Sequence, residues 1–187
     1  MSVILLLIIP IITMRSFAHE KSTGTYEALM TTPVSNLQIV FSKFLASWIF
    51  YGLMWLPLWG FMVWLGQFFN DPEYLDAGIV GGTALGVMLI GGLFLAIGCL
   101  ASVATKSQLI AAMLALTLEM VLFMLSFVIE LLPDQSGWQA TLFGHICLFD
   151  HMGDFVRGII NGSHLIFYFT GTGLFLFLTW RWVESRK

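Results

Sequence analysis

Apolar residues run along this chain in long blocks broken by short polar intervals. Phe44–Phe69, Gly78–Ala104, Leu109–Leu132 and Leu165–Val183 are each long enough to cross a bilayer as a helix. Pro57, inside the first of these, removes a backbone donor and predicts a kink. Met1–Thr13 is apolar but short: at 1.5 Å per residue it reaches about 20 Å, against a hydrocarbon core of about 30 Å. It reads as the closing part of a spanning helix. The connecting intervals are an acidic loop at Asn70–Ala77, a very short turn at Thr105–Gln108 and a mixed polar stretch from Pro133 to Ser163. The pattern predicts an all-α, polytopic helical membrane protein with four full transmembrane helices and one shortened span, forming a single transmembrane domain over residues 1–187.

The polar interval Arg15–Ser35, RSFAHEKSTGTYEALMTTPVS, stands out because its signals are those of ordered structure. Thr25 can cap a short helix, with Glu27 placed well against the positive end of its dipole. Tyr26, Leu29 and Met30 share one apolar face, and Pro33 ends the helix. Gly24, between two threonines, suits a turn of positive φ that aims it. Ser35 and Gln38 then form a capping box that opens the next helix, flanked by Val34 and Ile39 at staple positions.

Composition agrees with the membrane reading: 58% of the 187 residues are hydrophobic and 10% are charged, where soluble domains carry about 25%. A net charge of −3 gives no basis for binding nucleic acid. Lys and Arg accumulate on alternate connections. Arg15, Lys21, Lys43, Lys106, Arg181, Arg186 and Lys187 fall on one side with the opening loop, and only Arg157 on the other. The acidic residues Asp71, Glu73, Asp76, Asp134, Asp150 and Asp154 all fall opposite. The positive-inside rule therefore predicts that the opening loop and the C-terminus are cytoplasmic, and the expected location is the plasma membrane.

Three intramembrane or interfacial features could carry chemistry. Gly78, Gly82 and Gly86, four apart, permit close helix packing, chiefly within one bundle. Glu119 lies near the middle of its span on a face with Ala112, Ala115 and Ser126. With no cation at matching depth, it reads as a neutral or hydrogen-bonded interior group, serving as structural glue or as part of a pathway. Phe143–Asn161 has Ile146, Phe149, Met152, Val156 and Ile159 at helical spacing, which predicts an amphipathic helix or broken hairpin lying on or dipping into the outer interface. Its polar residues His145, Cys147, Asp150, His151 and Asp154 then form a wet face, and the Cys147/His151 spacing matches no closed metal site. No phosphate loop, nucleophile elbow or HExxH is present, so any ATP would be bound by another chain. No catalytic residue, cofactor or metal is expected.

The opening stretch resembles the ABC-2 family of transporter permeases. Pro10, Met14, Arg15, Glu20, Lys21, Gly24, Thr25, Glu27, Leu29, Pro33, Val34 and Ser35 match that family's loop motif, with His19 in place of the first Glu of the usual acidic pair. The C-terminal part, including Phe149, Phe155, Arg157, Gly158, Tyr168 and Phe169, resembles the gliding-motility-type branch. The resemblance places the first residue inside the family's second span, without the N-terminal helix and first span. It implies a permease dimer, made of two like or related chains, in which each chain binds an ATP-binding-cassette ATPase. Within the interval 14–43, Glu20, Lys21, Gly24, Thr25, Tyr26, Glu27, Leu29, Met30 and Pro33 would be the coupling helix and its surroundings, docking on the ATPase. Membrane lipid is the remaining partner. A secondary transporter and a non-transporting scaffold of a motility or secretion machine are the alternatives.

Overall fold

The computed structural model describes residues 2–26, 34–69, 77–131 and 147–185, and these are helical with short connections. The helices are α1 (Ser2–Thr13), α2 (Ala18–Thr23), α3 (Asn36–Phe69), α4 (Ala77–Ala104), α5 (Gln108–Leu131), α6 (Leu148–Val156) and α7 (Gly162–Glu184). Four of them, α3, α4, α5 and α7, are long and apolar enough to cross a membrane. Of the residues singled out in the opening loop, Glu27, Leu29, Met30 and Pro33 lie outside the described residues, as do the acidic loop 70–76 and the stretch 132–146.

The helix starts follow local chemistry. The Ser35 N–H donates to Gln38 Oε1 at 3.2 Å, and the Gln38 N–H donates to Ser35 Oγ at 3.3 Å. This reciprocal box satisfies two of the donors that every helix start leaves open. α3 therefore begins at Asn36, well before the purely apolar stretch. At the start of α7, Asn161 accepts from the Ser163 N–H at 3.4 Å.

α4 is the centre of the molecule. Within its most apolar stretch 78% of residues are buried, against 28% for α3, 22% for α5 and 17% for α7. Its glycines let the other elements come to the backbone. The Tyr51 ring of α3 lies across Gly91, and its hydroxyl donates to the Val87 carbonyl at 3.1 Å. Thr13 of α1 sits over Gly98, and Gly171 of α7 meets Leu93. With most of α4 covered by protein, its many small residues serve close helix packing.

α6 occupies the far end of this bundle, opposite the opening loop, and is seated on α4 through the early glycines. A Cβ at Gly82 would come within 2.6 Å of the Phe155 carbonyl oxygen, and one at Gly86 within 2.8 Å of the Phe155 ring. The backbone of Gly78 lies against Gly158, whose φ is +74°. The three glycines thus face α6 and the turn after it, inside one chain. Gly82→Ala is expected to destabilise the protein by about 1–3 kcal/mol, because a backbone carbonyl has nowhere to go. Gly81→Ala, whose Cβ meets nothing within 4 Å, should be neutral or gain about 0.5–1 kcal/mol from helix propensity. Paired thermal melts in detergent check this; similar shifts for the two variants would contradict the packing.

The seating of α6 differs from the face expected for it. Leu148, His151 and Phe155 are buried, and Val156 and Ile159 are exposed at 46% and 53%. Val156 and Ile159 of the expected apolar set thus turn outward, while Met152 still packs against the core, and Phe155 fills the Gly82/Gly86 notch. Cys147 and His151, read as part of a wet polar face, are both 1% exposed.

Candidate functional site

The polar residues of the opening loop converge where α1 ends and α4 ends. After Thr13 the chain turns, with the Met14 N–H donating to the Pro10 carbonyl at 2.9 Å and the Ser16 N–H to Thr13 at 3.0 Å. It enters α2 at Phe17, which is fully buried and offers no side-chain cap of its own. The cap comes from another helix. Ser102 Oγ, in the last turn of α4, accepts from the N–H groups of Phe17 at 3.0 Å and Ala18 at 3.1 Å, and the same hydroxyl donates to the Met14 carbonyl at 3.4 Å. A single buried hydroxyl thereby satisfies two of the donors at the start of α2.

Charged side chains complete the joint. Lys21 Nζ donates to the Val103 carbonyl at the C-terminal end of α4, where a cation is favoured by the helix dipole and by the open carbonyls. Lys43, one turn and more into α3, donates to the Ser16 carbonyl at 2.6 Å and pairs with Glu20 Oε1 at 2.5 Å. Its ammonium also lies 5.0 Å from the centre of the Phe17 ring. The two side chains of the pair are 19% and 27% exposed, so the ion pair is only partly screened by solvent. His19 Nδ1 lies 2.9 Å from Gln108 Nε2 at the start of α5. α2 is thus fixed to α3, α4 and α5 at once.

Gly24 ends α2 at φ +77°, a conformation costly for any residue with a Cβ. The chain turns there and resumes a helix at Thr25 and Tyr26. The Thr25 hydroxyl reaches backward, 2.9 Å from Thr23 Oγ1 and 3.4 Å from the Glu20 carbonyl. Tyr26 is half-buried against the core, with Lys21 Nζ 5.0 Å from its ring centre. Of the loop residues singled out from sequence, Glu20, Lys21 and Tyr26 therefore face this chain's own helices, and Thr25 and Gly24 are exposed. Ser102, Lys43 and Gln108 were not foreseen. Ser102 sits in a run whose local pattern reads as ordinary helix, Gln108 and Lys43 at the edges of polar connections, and nothing in the spacing links position 102 to position 17.

Two further groups stand apart from this joint. Glu119 is fully buried on the inner face of α5, in line with Ala111 and Ala115, and neither of its carboxyl oxygens has a partner among the described residues. Ala112, expected on that face, is half-buried. At the far end, the His151 and His164 rings meet at a tilt of 39° with centroids 3.9 Å apart, and His164 Nε2 lies 3.0 Å from Asp154 Oδ2. Cys147 Sγ points at the Ser126 carbonyl, 3.8 Å away, and Ser126 Oγ accepts from the Leu148 N–H at 3.3 Å. These residues lock α6 between α5 and α7. Among the described residues no group of three or more His, Cys, Asp or Glu side chains could hold a metal ion.

The comparison with known families returns a match over residues 1–181 to the family described as ABC-2 family transporter protein. No curated protein and no solved structure matches the chain.

Proposed function

Because the chain belongs to the ABC-2 family of transporter proteins, whose members are membrane components working with an ABC ATPase, we propose that it is a permease subunit driven through its opening loop. The segment from α2 to Met30 docks on a partner ATPase that binds and hydrolyses the ATP. The permease contributes no catalytic residue and acts as a lever. Two permease chains, alike or related, pair in the plasma membrane, with the loop and the C-terminus in the cytoplasm. The charge asymmetry of the connections supports that orientation.

The observation that carries this reading is the joint at Ser102. A docking helix transmits force only if it is attached to something stiff. α2 is attached to the end of α4, and α4 touches the other spanning helices and α1. A displacement of α2 cannot be absorbed in a slack connection before reaching the centre of the bundle. Tyr26 is half-buried against this chain's own helices, so Leu29 and Met30 are the anchors proposed to enter a groove on the ATPase.

Single cysteines at positions 26 to 30 test this. They should crosslink to the co-purifying ATPase in a nucleotide-dependent manner. Leu29→Ala should weaken ATPase association about ten-fold, the effect of losing a modest hot spot, without changing the melting temperature. Lys21→Ala should lower the melting temperature instead, since Lys21 is bonded to α4. Crosslinks confined to this chain's own spans, with and without nucleotide, would refute docking.

A further inference from the structure

At the end of the bundle away from the opening loop, two histidines meet inside the fold. His151, on α6, is buried, and its ring lies against that of His164 in the first turn of α7. The Phe167 and Tyr168 rings stand edge-on around His151, with centroids at 5.3 and 5.6 Å. His164 Nε2 reaches back to Asp154 of α6, and the side chains of this pair are 11% and 34% exposed. The cluster therefore ties α6 to α7, and it touches water through Asp154.

We propose that the two rings form an acid-operated latch, which holds α6 on α7 while at most one is protonated and releases it when both are. Histidine is the side chain that changes charge between about pH 5 and 8. One imidazolium is accommodated, because the Asp154 carboxylate is bonded to His164 and balances it. A second is not: two like charges with ring centres 3.9 Å apart repel strongly where water is scarce. Separated rings each take a proton freely, so acid favours the released state. The hold is complete above the imidazole range and is lost as pH falls through it. Of the surrounding elements, α4 carries no charged residue. α5 carries Glu119, about two turns from Ser126, and Glu130, whose side chain lies outside the described residues, as does that of Asp150 on α6. Tyr168 and Cys147 complete the titratable groups nearby, and phenols and thiols ordinarily titrate above this range. Arg157, at the end of α6, is exposed. α6 can answer to so small a change because it has nine residues, too few to persist as a helix alone. The latch is independent of ATPase docking, which concerns the opposite end of the bundle.

Amide hydrogen exchange tests this on the purified protein in detergent, where both ends of the bundle meet the same pH. Rates are compared between about pH 7.5 and about pH 5.5, corrected for the intrinsic effect of pH on exchange. Protection over residues 148–156 is expected to fall several-fold in acid, while Leu93–Ile97 in α4 keeps its protection. His151→Phe keeps a flat ring that takes no proton, and His164→Gln keeps a donor for Asp154 without taking one. Each should abolish the acid loss. Asp154→Asn removes the balancing carboxylate, so its loss should begin at higher pH, a shift that a purely packing role would not produce. A variant that fails to fold reveals itself by lost protection at Leu93–Ile97, and the others then decide. Full protection of α6 in acid in the unsubstituted protein would overturn the latch, as would an acid loss that persists in a folded histidine variant.

Discussion

Ser102→Ala is expected to detach α2 from the bundle while leaving the spans in place. The substitution removes the acceptor of two N–H groups, those of Phe17 and Ala18, whose residues are fully buried. A buried donor left without a partner costs about 1–3 kcal/mol. Two such groups lost together exceed what a six-residue helix, marginal by itself, can withstand. Amide hydrogen exchange across residues 16–23 should accelerate strongly, while the interior of α4 around Leu93–Ile97 keeps its protection. Ser102→Thr keeps the hydroxyl and should retain most of the protection. In a reconstituted transporter, Ser102→Ala should also lose the coupling of ATP hydrolysis to transport without losing membrane insertion. Unchanged exchange in the alanine variant would mean that Lys21 and Lys43 hold α2 unaided.

The second large effect is a gain. Glu119→Leu is expected to raise the melting temperature. The carboxyl is fully buried and finds no hydrogen-bond partner among the described residues. An unpaired polar group in an apolar site costs about 1–3 kcal/mol on mutational scales, and leucine of similar bulk removes that cost. Glu119→Gln keeps an unpaired amide and should change little. A loss of stability in the leucine variant would show that a residue outside the described ones, or a second chain, completes the site. Transport measured on the same two variants separates the remaining roles. If leucine stabilises yet abolishes transport, and glutamine abolishes it too, the group titrates during the cycle. If glutamine alone transports, a hydrogen bond made in another state of the cycle is what matters.

What could be read from sequence was what is decided within a few residues. The Ser35/Gln38 box involves positions three apart, and its two hydrogen bonds are both present. The four spans follow from apolar runs that bilayer thickness alone requires. The positive φ at Gly24 follows from a glycine placed between two threonines just before a short helix. The early start of α2 at Ala18 was not legible, because its cap is donated from Ser102, more than eighty positions away. The side of α6 that turns inward was equally hidden. Counting apolar residues selects Val156 and Ile159, which are exposed, but the glycine notch on α4 admits Phe155, and His151 is carried in beside it. Only a knowledge of which helix lies opposite could have set that rotation.

The central place of α4 also bears on how the protein is made. Its apolar run is the strongest in the chain, with a mean hydropathy of 2.4 over its best window, so it can enter the bilayer as soon as it is synthesised. Its principal neighbour, however, is α7, and α6 also packs on it. Both are translated last. During the interval the glycine notches at Gly82 and Gly86 lie open to lipid or to whatever accompanies the nascent chain, whereas Gly91 can already be covered by Tyr51 of the earlier-made α3. Insertion and folding are therefore separated in time. The bundle cannot close until the final span arrives, and a chain stopped before Gly162 would be fully inserted yet without the helix that completes its core.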